Sequence, residues 1–301
     1  MVLKKLEDLK SVVAHLPARK LVLAAAHDQQ SLSAVMRAAV DGIIEPVLVG
    51  DREGIQDIAA ANGYEVSGYT IVHEPDTLKA VETAVKLVSS KQADLLMKGK
   101  VGTSALLKSV LNRDWGLRTG RLLSHIAIFE VETYHKLIAV TDVAMNIAPN
   151  LQDKIAIVNN SVECLHKLGI DIPKVAVLGA VEMVNENMVA TLDAALLSKM
   201  NQRDQIKGCL IDGPLAFDNA ISLESAQHKG IRSEIAGDTD LLLMPDIEVG
   251  NVLYKSLVFF AKAKVASMIL GATAPIVLTS RSDSEQAKYD SIILAAAASI
   301  N

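Results

Sequence analysis

Short apolar runs alternate with amphipathic segments along most of the chain. The apolar runs have the length of strands, as in segments 21–26, 45–51 and 174–180. Segments with helical periodicity precede or separate them, for example 1–16, 76–89 with Asp76 as its N-cap, 152–168 and 217–228. Largely unbroken apolar strands that alternate with helices are typical of a mainly parallel sheet covered by helices on both faces. We therefore predict a three-layer α/β fold.

The alternation is interrupted near the middle of the chain. Segment 113–125 is polar and basic, which favours a crossover or a lid. Segments 127–131 and 136–145 are then predicted to be two strands joined by a short turn, the one hairpin-like signal in the chain. Because the alternation restarts afterwards, we expect two α/β domains with a cleft between them. Their predicted ranges are 1–125 together with 284–301, and 126–283.

Composition narrows the class of protein. The chain has 301 residues, a net charge of −5 and an isoelectric point near 5.8, which argues against a dedicated surface for nucleic acid or an anionic membrane. Cys164 and Cys209 are the only cysteines, and each lies in an apolar segment, as expected of reduced thiols in a cytoplasmic protein. No apolar run approaches the roughly 20 residues that span a bilayer. We expect a cytoplasmic protein without membrane or nucleic-acid partners.

The segment from Lys98 to Ser104, KGKVGTS, follows a predicted strand and opens a predicted helix. Free helix N–H groups, small residues, the hydroxyls of Thr103 and Ser104 and the ammonium groups of Lys98 and Lys100 suit an anion site. The spacing differs from that of a P-loop. An ordinary turn with solvated lysines explains the same residues. Arg121, in the polar crossover, is a further candidate for phosphate or carboxylate binding, with a solvated basic loop as its alternative.

Polar residues also follow three apolar strands in the second half of the chain. Asp142 and Asn146 follow the first and Asp212 the second, and the third is followed by a predicted loop, 245–251, with Asp246, Gly250 and Asn251. One acidic strand end is usually a helix cap, whereas three predict a functional rim in which some members are caps or turn residues. No spacing of His, Cys and Asp singles out a metal site, so none is predicted.

The strongest candidate is the loop TSRSDS between the last predicted strand and the last predicted helix. Arg281 can hold a phosphoryl group, and Ser280 can donate a hydrogen bond to a carbonyl oxygen that gains charge. Asp283 can accept a proton. A Ser-rich capping box is the alternative, but capping gives no reason for a cation beside a helix N-terminus. The residues alone thus predict a two-domain α/β enzyme with a cleft that binds small anions.

Several segments together resemble the phosphate acetyl/butyryltransferase family, and within it they are most similar to the butyryltransferase branch. The segments that carry the resemblance are MKGKVGTSALLKSVL, VTDVAMNIAP, QIKGCLIDGPLAFDNAIS, MPDIEVGNVLYKSLVFFAKA and APIVLTSRSDS. The resemblance implies the two-domain fold of isocitrate and isopropylmalate dehydrogenases, a homo-oligomer, and transfer of a short acyl group between CoA and phosphate. CoA and acyl-CoA would be substrates, with no permanently bound cofactor. It also implies that Ser280 stabilises the oxyanion and that Arg281 holds the phosphoryl group.

Two positions depart from the pattern of the family. Acetyltransferase relatives carry an aspartate, proposed as the base for the CoA thiol, where this chain has Ala287; Asp283 and Glu285 are the nearest substitutes. Lys108 stands where relatives hold an arginine. Three alternatives therefore stay open: acetyl or propanoyl as the acyl group, a metal-dependent dehydrogenase on the same fold, and a non-catalytic relative that binds acyl-CoA and phosphate.

Overall fold

The computed structural model of the protein describes residues 3–280 and 283–299, in which strands and helices alternate. Arg281 and Ser282 lie outside the described residues. A 3-10 turn over Leu6–Asp8 precedes the first helix. The strands are β1 Arg19–Ala24, β2 Ile44–Gly50, β3 Thr70–His73, β4 Leu95–Lys98, β5 Ser124–Glu130, β6 Ile138–Thr141, β7 Lys174–Leu178, β8 Leu210–Leu215, β9 Leu241–Leu243, β10 Lys264–Leu270 and β11 Ile276–Val277. The helices are α1 Leu9–Val13, α2 Gln29–Val40, α3 Arg52–Ala61, α4 Thr77–Ser89, α5 Thr103–Val110, α6 Leu151–Lys167, α7 Val189–Gln202, α8 Phe217–Ile221, α9 Leu223–His228, α10 Ile247–Phe259 and α11 Glu285–Ala298.

The contacts divide the chain into two compact units. The terminal unit comprises Glu7–Arg121 and Ala266–Asn301, and the central unit comprises Met1–Leu6 and Leu122–Val265. The domain ranges predicted from the sequence stay a prediction, because a grouping of contacts does not test them as independent domains.

Parallel pairing dominates the sheet of the terminal unit. Its strands follow the order β3-β2-β1-β4-β11-β10, in which β11 is antiparallel to β10 and the pairs from β3 to β11 are parallel. Parallel strands such as β1, β2 and β4 place their carboxyl ends, and the helices that follow them, at one edge of the sheet. Helix α11 packs against α2, α1 and β11, and residues 287–298 of this helix are all buried.

The central unit has the strand order β5-β6-β9-β7-β8. Strands β5 and β6 pair antiparallel, as the hairpin-like signal in the sequence predicts, and β6, β9, β7 and β8 pair in parallel. The fold-class prediction of an α/β protein with mainly parallel strands is therefore confirmed. No helix in residues 3–280 and 283–299 is long and apolar enough to cross a membrane.

Side-chain caps fix several helix starts. Asp76 accepts hydrogen bonds from Leu78 N at 2.9 Å and Lys79 N at 3.0 Å, which confirms its predicted role as the N-cap of α4. The side chain of Asn150 and that of Asp153 form a capping box at the start of α6. These caps set the angle at which each helix leaves its strand.

Three local predictions were wrong. The amphipathic helix predicted over residues 1–16 is limited to the 3-10 turn and α1. The helix predicted over 217–228 is broken at Ser222, whose backbone is extended and whose hydroxyl accepts from Ser225 N at 3.2 Å. Helix α10 begins at Ile247, so that Gly250 and Asn251, predicted to lie in a loop, are helical. The antiparallel pair of β10 and β11 also adds a second reversal that the sequence pattern did not indicate.

Candidate active site

A cavity of about 530 Å³ lies within the terminal unit, where β1, β4 and β11 end. In open α/β sheets, ligands bind in the crevice outside the carboxyl ends of the strands. Residues from the first turns of α2, α4 and α5 and from the loop before α11 surround the cavity. The lining residues are Asp28, Gln30, Ser31, Thr77, Leu78, Lys98, Gly99, Lys100, Val101, Gly102, Ala105, Ser280 and Lys288.

Gly99 shapes the turn between β4 and α5. A Cβ atom at this position would lie 2.4 Å from the carbonyl oxygen of Ala25 and 2.6 Å from that of Ala24. These distances are far below contact distance, so only glycine lets the turn approach the end of β1 so closely. The N–H groups of Gly99 and Lys100 donate to the same two carbonyl oxygens, each at 2.9 Å. The turn is thereby fastened to the neighbouring strand.

The turn places Lys98 and Lys100 at the cavity, as the sequence predicts for an anion site. Lys98 is only 6% exposed, and its Nζ atom donates to the carbonyl oxygens of Gly99 and Val101 at 3.4 Å. Helix α5 starts after Gly102 without a side-chain cap. A helix start of this kind leaves N–H groups that attract anions. Thr103, Ser104 and Lys108, also predicted to bind phosphate, are exposed on α5 and are not among the lining residues.

Ser280 reaches the cavity from the loop after β11. Its backbone N–H donates to Asp283 Oδ2 at 2.7 Å, and its carbonyl oxygen accepts from Asp283 N at 3.2 Å. Asp283 is 7% exposed, so one oxygen of its carboxylate holds the shape of this loop in a buried position. Ser284 Oγ accepts from Ala287 N at 3.2 Å and caps α11. Ser284, the last residue of TSRSDS, is thus the N-cap of α11. The carboxylate of Asp283, predicted to act as a base, contacts the backbone of the same loop.

Lys288 is a cavity residue that sequence reasoning missed. It follows Ala287 in the first turns of α11 and is 3% exposed. Its Nζ atom donates to the carbonyl oxygens of Ser280 at 3.2 Å and of Asp283 at 2.9 Å. Burial lowers the pKa of Lys288, and the carboxylates of Asp283 and Asp28 act in the opposite direction. The available signal was a lysine in the polar first half of a helix whose second half, 292–298, is entirely apolar.

Asp142, in the central unit, is 3% exposed and accepts four hydrogen bonds. Oδ2 accepts from His125 N at 3.1 Å and from Asn146 Nδ2 at 2.6 Å, and Oδ1 accepts from Ala144 N at 2.8 Å and Met145 N at 2.9 Å. Asn146 Nδ2 also donates to the carbonyl oxygen of a neighbouring loop, at Leu123, at 2.9 Å. These contacts account for Asp142 and Asn146 as anchors of the strand end without any ligand.

The other predicted polar positions also have contacts within the protein. Asp246 accepts from Val249 N at 2.9 Å and caps α10, and Asn251 Nδ2 donates to the carbonyl oxygen of Val143 at 3.2 Å. Arg121 is exposed and belongs to the terminal unit, where its backbone N–H donates to the hydroxyl of Thr119 at 3.1 Å. Within the described residues, Lys98, Lys100 and Ser280 are thus the predicted site residues that the cavity brings together.

The two cysteines are poorly suited to nucleophilic catalysis. Burial raises the pKa of Cys164 to about 12 and that of Cys209 to about 11. Neither lines the cavity. In the part of the chain that the structure describes, no group of three or more His, Cys, Asp or Glu side chains is placed to hold a metal ion.

Known proteins match this chain over nearly its whole length. The family described as phosphate acetyl/butaryl transferase matches residues 74–296. The chain belongs to this family. It is 51% identical to the phosphate butyryltransferase of Clostridium acetobutylicum over 278 residues, which cover 92% of each chain. It is 46% identical to the phosphate acetyltransferase of Thermotoga maritima, with 92% of this chain and 94% of the relative covered.

A solved structure supports the same assignment. The crystal structure of a branched-chain phosphotransacylase from Enterococcus faecalis V583 superimposes with a TM-score of 0.82 at 34% identity, covering 93% of this chain and 99% of that one. The protein is accordingly an acyltransferase of the phosphate acetyl/butyryl transferase family. The family prediction made from the sequence is confirmed.

Proposed function

We propose that this acyltransferase catalyses the reversible reaction of butanoyl-CoA with phosphate to give butanoyl phosphate and CoA. The observation that carries the proposal is the cavity that contains Ser280 together with the ammonium groups of Lys98 and Lys100. A hydroxyl donor beside concentrated positive charge suits a phosphoryl group next to a reacting carbonyl. The similarity to phosphate butyryltransferases favours butanoyl as the acyl group.

The mechanism we propose is direct transfer in a ternary complex. A phosphate oxygen forms a bond to the thioester carbonyl carbon, the carbonyl oxygen gains negative charge, and the carbon–sulfur bond then breaks. The CoA thiolate leaves and takes up the proton lost by hydrogen phosphate, so atoms and charge balance. Ser280 would donate to the developing oxyanion, and Arg281 would hold the phosphoryl oxygens, as the family resemblance implies.

The lysines supply positive charge where the nucleophile binds. Hydrogen phosphate carries two negative charges, and its approach to the carbonyl raises the local negative charge further. Lys98 is buried, so its field is screened less than that of a surface lysine. Asp283 is our candidate for the base, and because its carboxylate accepts from Ser280 N, its replacement would also disturb the loop.

An isotope-exchange experiment tests direct transfer. With labelled CoA and unlabelled butanoyl-CoA but no phosphate, direct transfer predicts no label in butanoyl-CoA, because no acyl-enzyme forms. Exchange at a rate near the overall turnover would instead require a covalent acyl-enzyme and would overturn this mechanism. The same preparation must turn over when phosphate is added, which provides the control.

Further parts of the proposal concern the setting in which the enzyme works. CoA and acyl-CoA act as substrates rather than as bound cofactors, the protein acts in the cytoplasm, and it forms a homo-oligomer. Light scattering after size exclusion tests the last point, since a mass of 32.2 kDa would identify a monomer.

The second candidate function is the same reaction on acetyl or propanoyl groups. The 46% identity to the phosphate acetyltransferase of Thermotoga maritima is the observation that favours this second candidate. One extra methylene in an apolar pocket typically changes specificity by about 10- to 200-fold. Comparison of kcat/KM for the three acyl-CoA substrates therefore separates the two candidates.

A further inference from the structure

Two buried lysines face the same cavity. Lys98 and Lys288 are 6% and 3% exposed, and both line the space between β4 and the loop after β11. Lysine is almost never fully buried unless its charge is compensated, because the removal of an ammonium group from water is costly. The cavity therefore concentrates positive charge away from bulk solvent.

The ammonium group of Lys288 is only partly satisfied within the protein. It has three N–H donors, and two of them donate to the carbonyl oxygens of Ser280 and Asp283. Among residues 3–280 and 283–299, no side chain accepts from the third donor and no carboxylate forms an ion pair with Nζ. Carbonyl oxygens carry partial charge only, and the carboxylates of Asp283 and Asp28 act on Lys288 without an ion pair in the described residues, so its positive charge is compensated only in part.

The helix that carries Lys288 adds to this positive potential. Ser284 is the N-cap of α11, so Lys288 lies at the fourth position of the helix, close to its positive end. Anionic side chains stabilise such a position, whereas a cation destabilises it. A buried cation at a helix start becomes favourable when an anion binds beside it.

We propose that Lys288 is a phosphate-binding residue, which keeps the Ser280 loop in place through two N–H donors and gives the third to a phosphoryl oxygen in the cavity. The inference rests on the proposed function for its ligand, since inorganic phosphate and the phosphoryl group of an acyl phosphate are the anions of that reaction. A dianion in this cavity would have three lysines and Ser280 among the lining residues, with the carboxylate of Asp28 as the one opposing charge among the described lining residues. The low pKa that burial imposes on the free lysine would then rise when phosphate binds.

The test replaces the ammonium group by an uncharged side chain of similar length. In Lys288→Met, we expect the dissociation constant of inorganic phosphate, measured by calorimetry, and the KM for phosphate both to rise at least about tenfold, since a charge-assisted hydrogen bond is lost. The KM for butanoyl-CoA should change by less than about twofold. A purely structural role would affect both substrates alike.

Lys199→Met is the matched control. Lys199 is exposed on α7, and within the described part of the chain its Nζ atom donates only to Gln202 Oε1, at 3.2 Å. This variant should keep wild-type phosphate affinity. If Lys288→Met does too, the inference is wrong.

A second measurement on the wild-type protein covers the case in which Lys288→Met does not fold. Acetic anhydride modifies accessible amines, and peptide mass spectrometry reports each lysine separately. Phosphate should slow acetylation of Lys288 and leave that of Lys199 unchanged. Equal rates at Lys288 with and without phosphate would overturn the inference.

The outcomes separate this inference from the proposed function. Phosphate-dependent turnover in the wild type, with unchanged phosphate binding in Lys288→Met, would refute the inference alone. Conversely, phosphate binding that depends on Lys288 in a protein without thiol release from any acyl-CoA would refute the proposed reaction and leave the binding site standing.

Discussion

Replacement of Asp142 should reduce stability far more than it affects substrate binding. Its buried carboxylate accepts from three backbone N–H groups, those of His125, Ala144 and Met145, and from the side chain of Asn146. Asp142→Ala removes both acceptor oxygens and with them all four hydrogen bonds. The donors stay behind: the N–H group of His125 is buried, and the other three donors are partly buried.

The contacts set the expected size of the effect. A hydrogen bond within a protein contributes about 1 kcal/mol net, so the loss of four such bonds sums to about 4 kcal/mol. Asp142→Asn keeps the shape but replaces one acceptor oxygen by an amide NH2, which faces donors. Since each oxygen of Asp142 accepts two bonds, the loss should be about 2 kcal/mol.

Urea unfolding followed by circular dichroism measures these differences. Asp171→Ala is a suitable control, because Asp171 is exposed and has no side-chain hydrogen bond among the described residues; it should change the free energy of unfolding by less than about 0.5 kcal/mol. If Asp142→Ala retained wild-type stability within about 1 kcal/mol while the KM for phosphate rose tenfold, the anchoring role would be refuted. Asp142 would then have to contact substrate.

Three further predictions concern reactivity, the Lys98 turn and pH. Because burial raises the pKa of Cys164 to about 12 and that of Cys209 to about 11, their thiolate fractions at pH 8 are about 10⁻⁴ and 10⁻³. Both thiols should therefore react slowly with a disulfide reagent until urea is added, and rapid labelling of the native protein would contradict their burial. Gly99→Ala should disturb the turn and raise the KM for phosphate, whereas a variant with unchanged kinetics would show that the turn tolerates a Cβ atom. Burial acts to raise the pKa of Asp238, but hydrogen bonds from two lysines and a histidine lower it overall. The stabilisation by Asp238 should thus be complete above its pKa in the unfolded state, about 3.9, and should be lost as the pH falls towards its lower pKa in the native state. The difference in urea midpoint between wild type and Asp238→Asn should therefore be large at pH 7 and shrink below about pH 4. A difference that does not change with pH would contradict the assignment.

The hydrophobic pattern was sufficient for the fold because each signal is local. Period-2 and period-3.6 patterns depend on neighbours in sequence, and caps such as Asp76 announce a helix start within three residues. The break at Ser222 was missed since its residues are compatible with a continuous helix. Strand β11 has only two residues, too few to show a period of two. It follows β10 closely in the chain, but its other neighbour, β4, is distant in sequence, so the local pattern did not indicate its place in the sheet or its direction.

The candidate site was only partly predictable, because it depends on contacts between segments that are distant in sequence. Lys98, Lys100 and Ser280 follow strands, and the ends of parallel strands meet at one edge of a sheet. Whether a polar residue at such an edge faces the cavity or the protein depends on contacts that the sequence does not reveal. Asp142 has the same local context as Lys98, yet its acceptors are occupied by its own loop. Lys288 was overlooked because its position in a buried helix became significant only when the helix was seen beside the cavity.

The most direct test of the proposed activity is thiol release from acetyl-, propanoyl- and butanoyl-CoA, each with and without phosphate, with the acyl phosphate measured in parallel as its hydroxamate. The account predicts release that requires phosphate, one acyl phosphate for each thiol, and the highest kcat/KM with butanoyl-CoA. Thiol release that is independent of phosphate, or the absence of acyl phosphate with all three substrates, would contradict it.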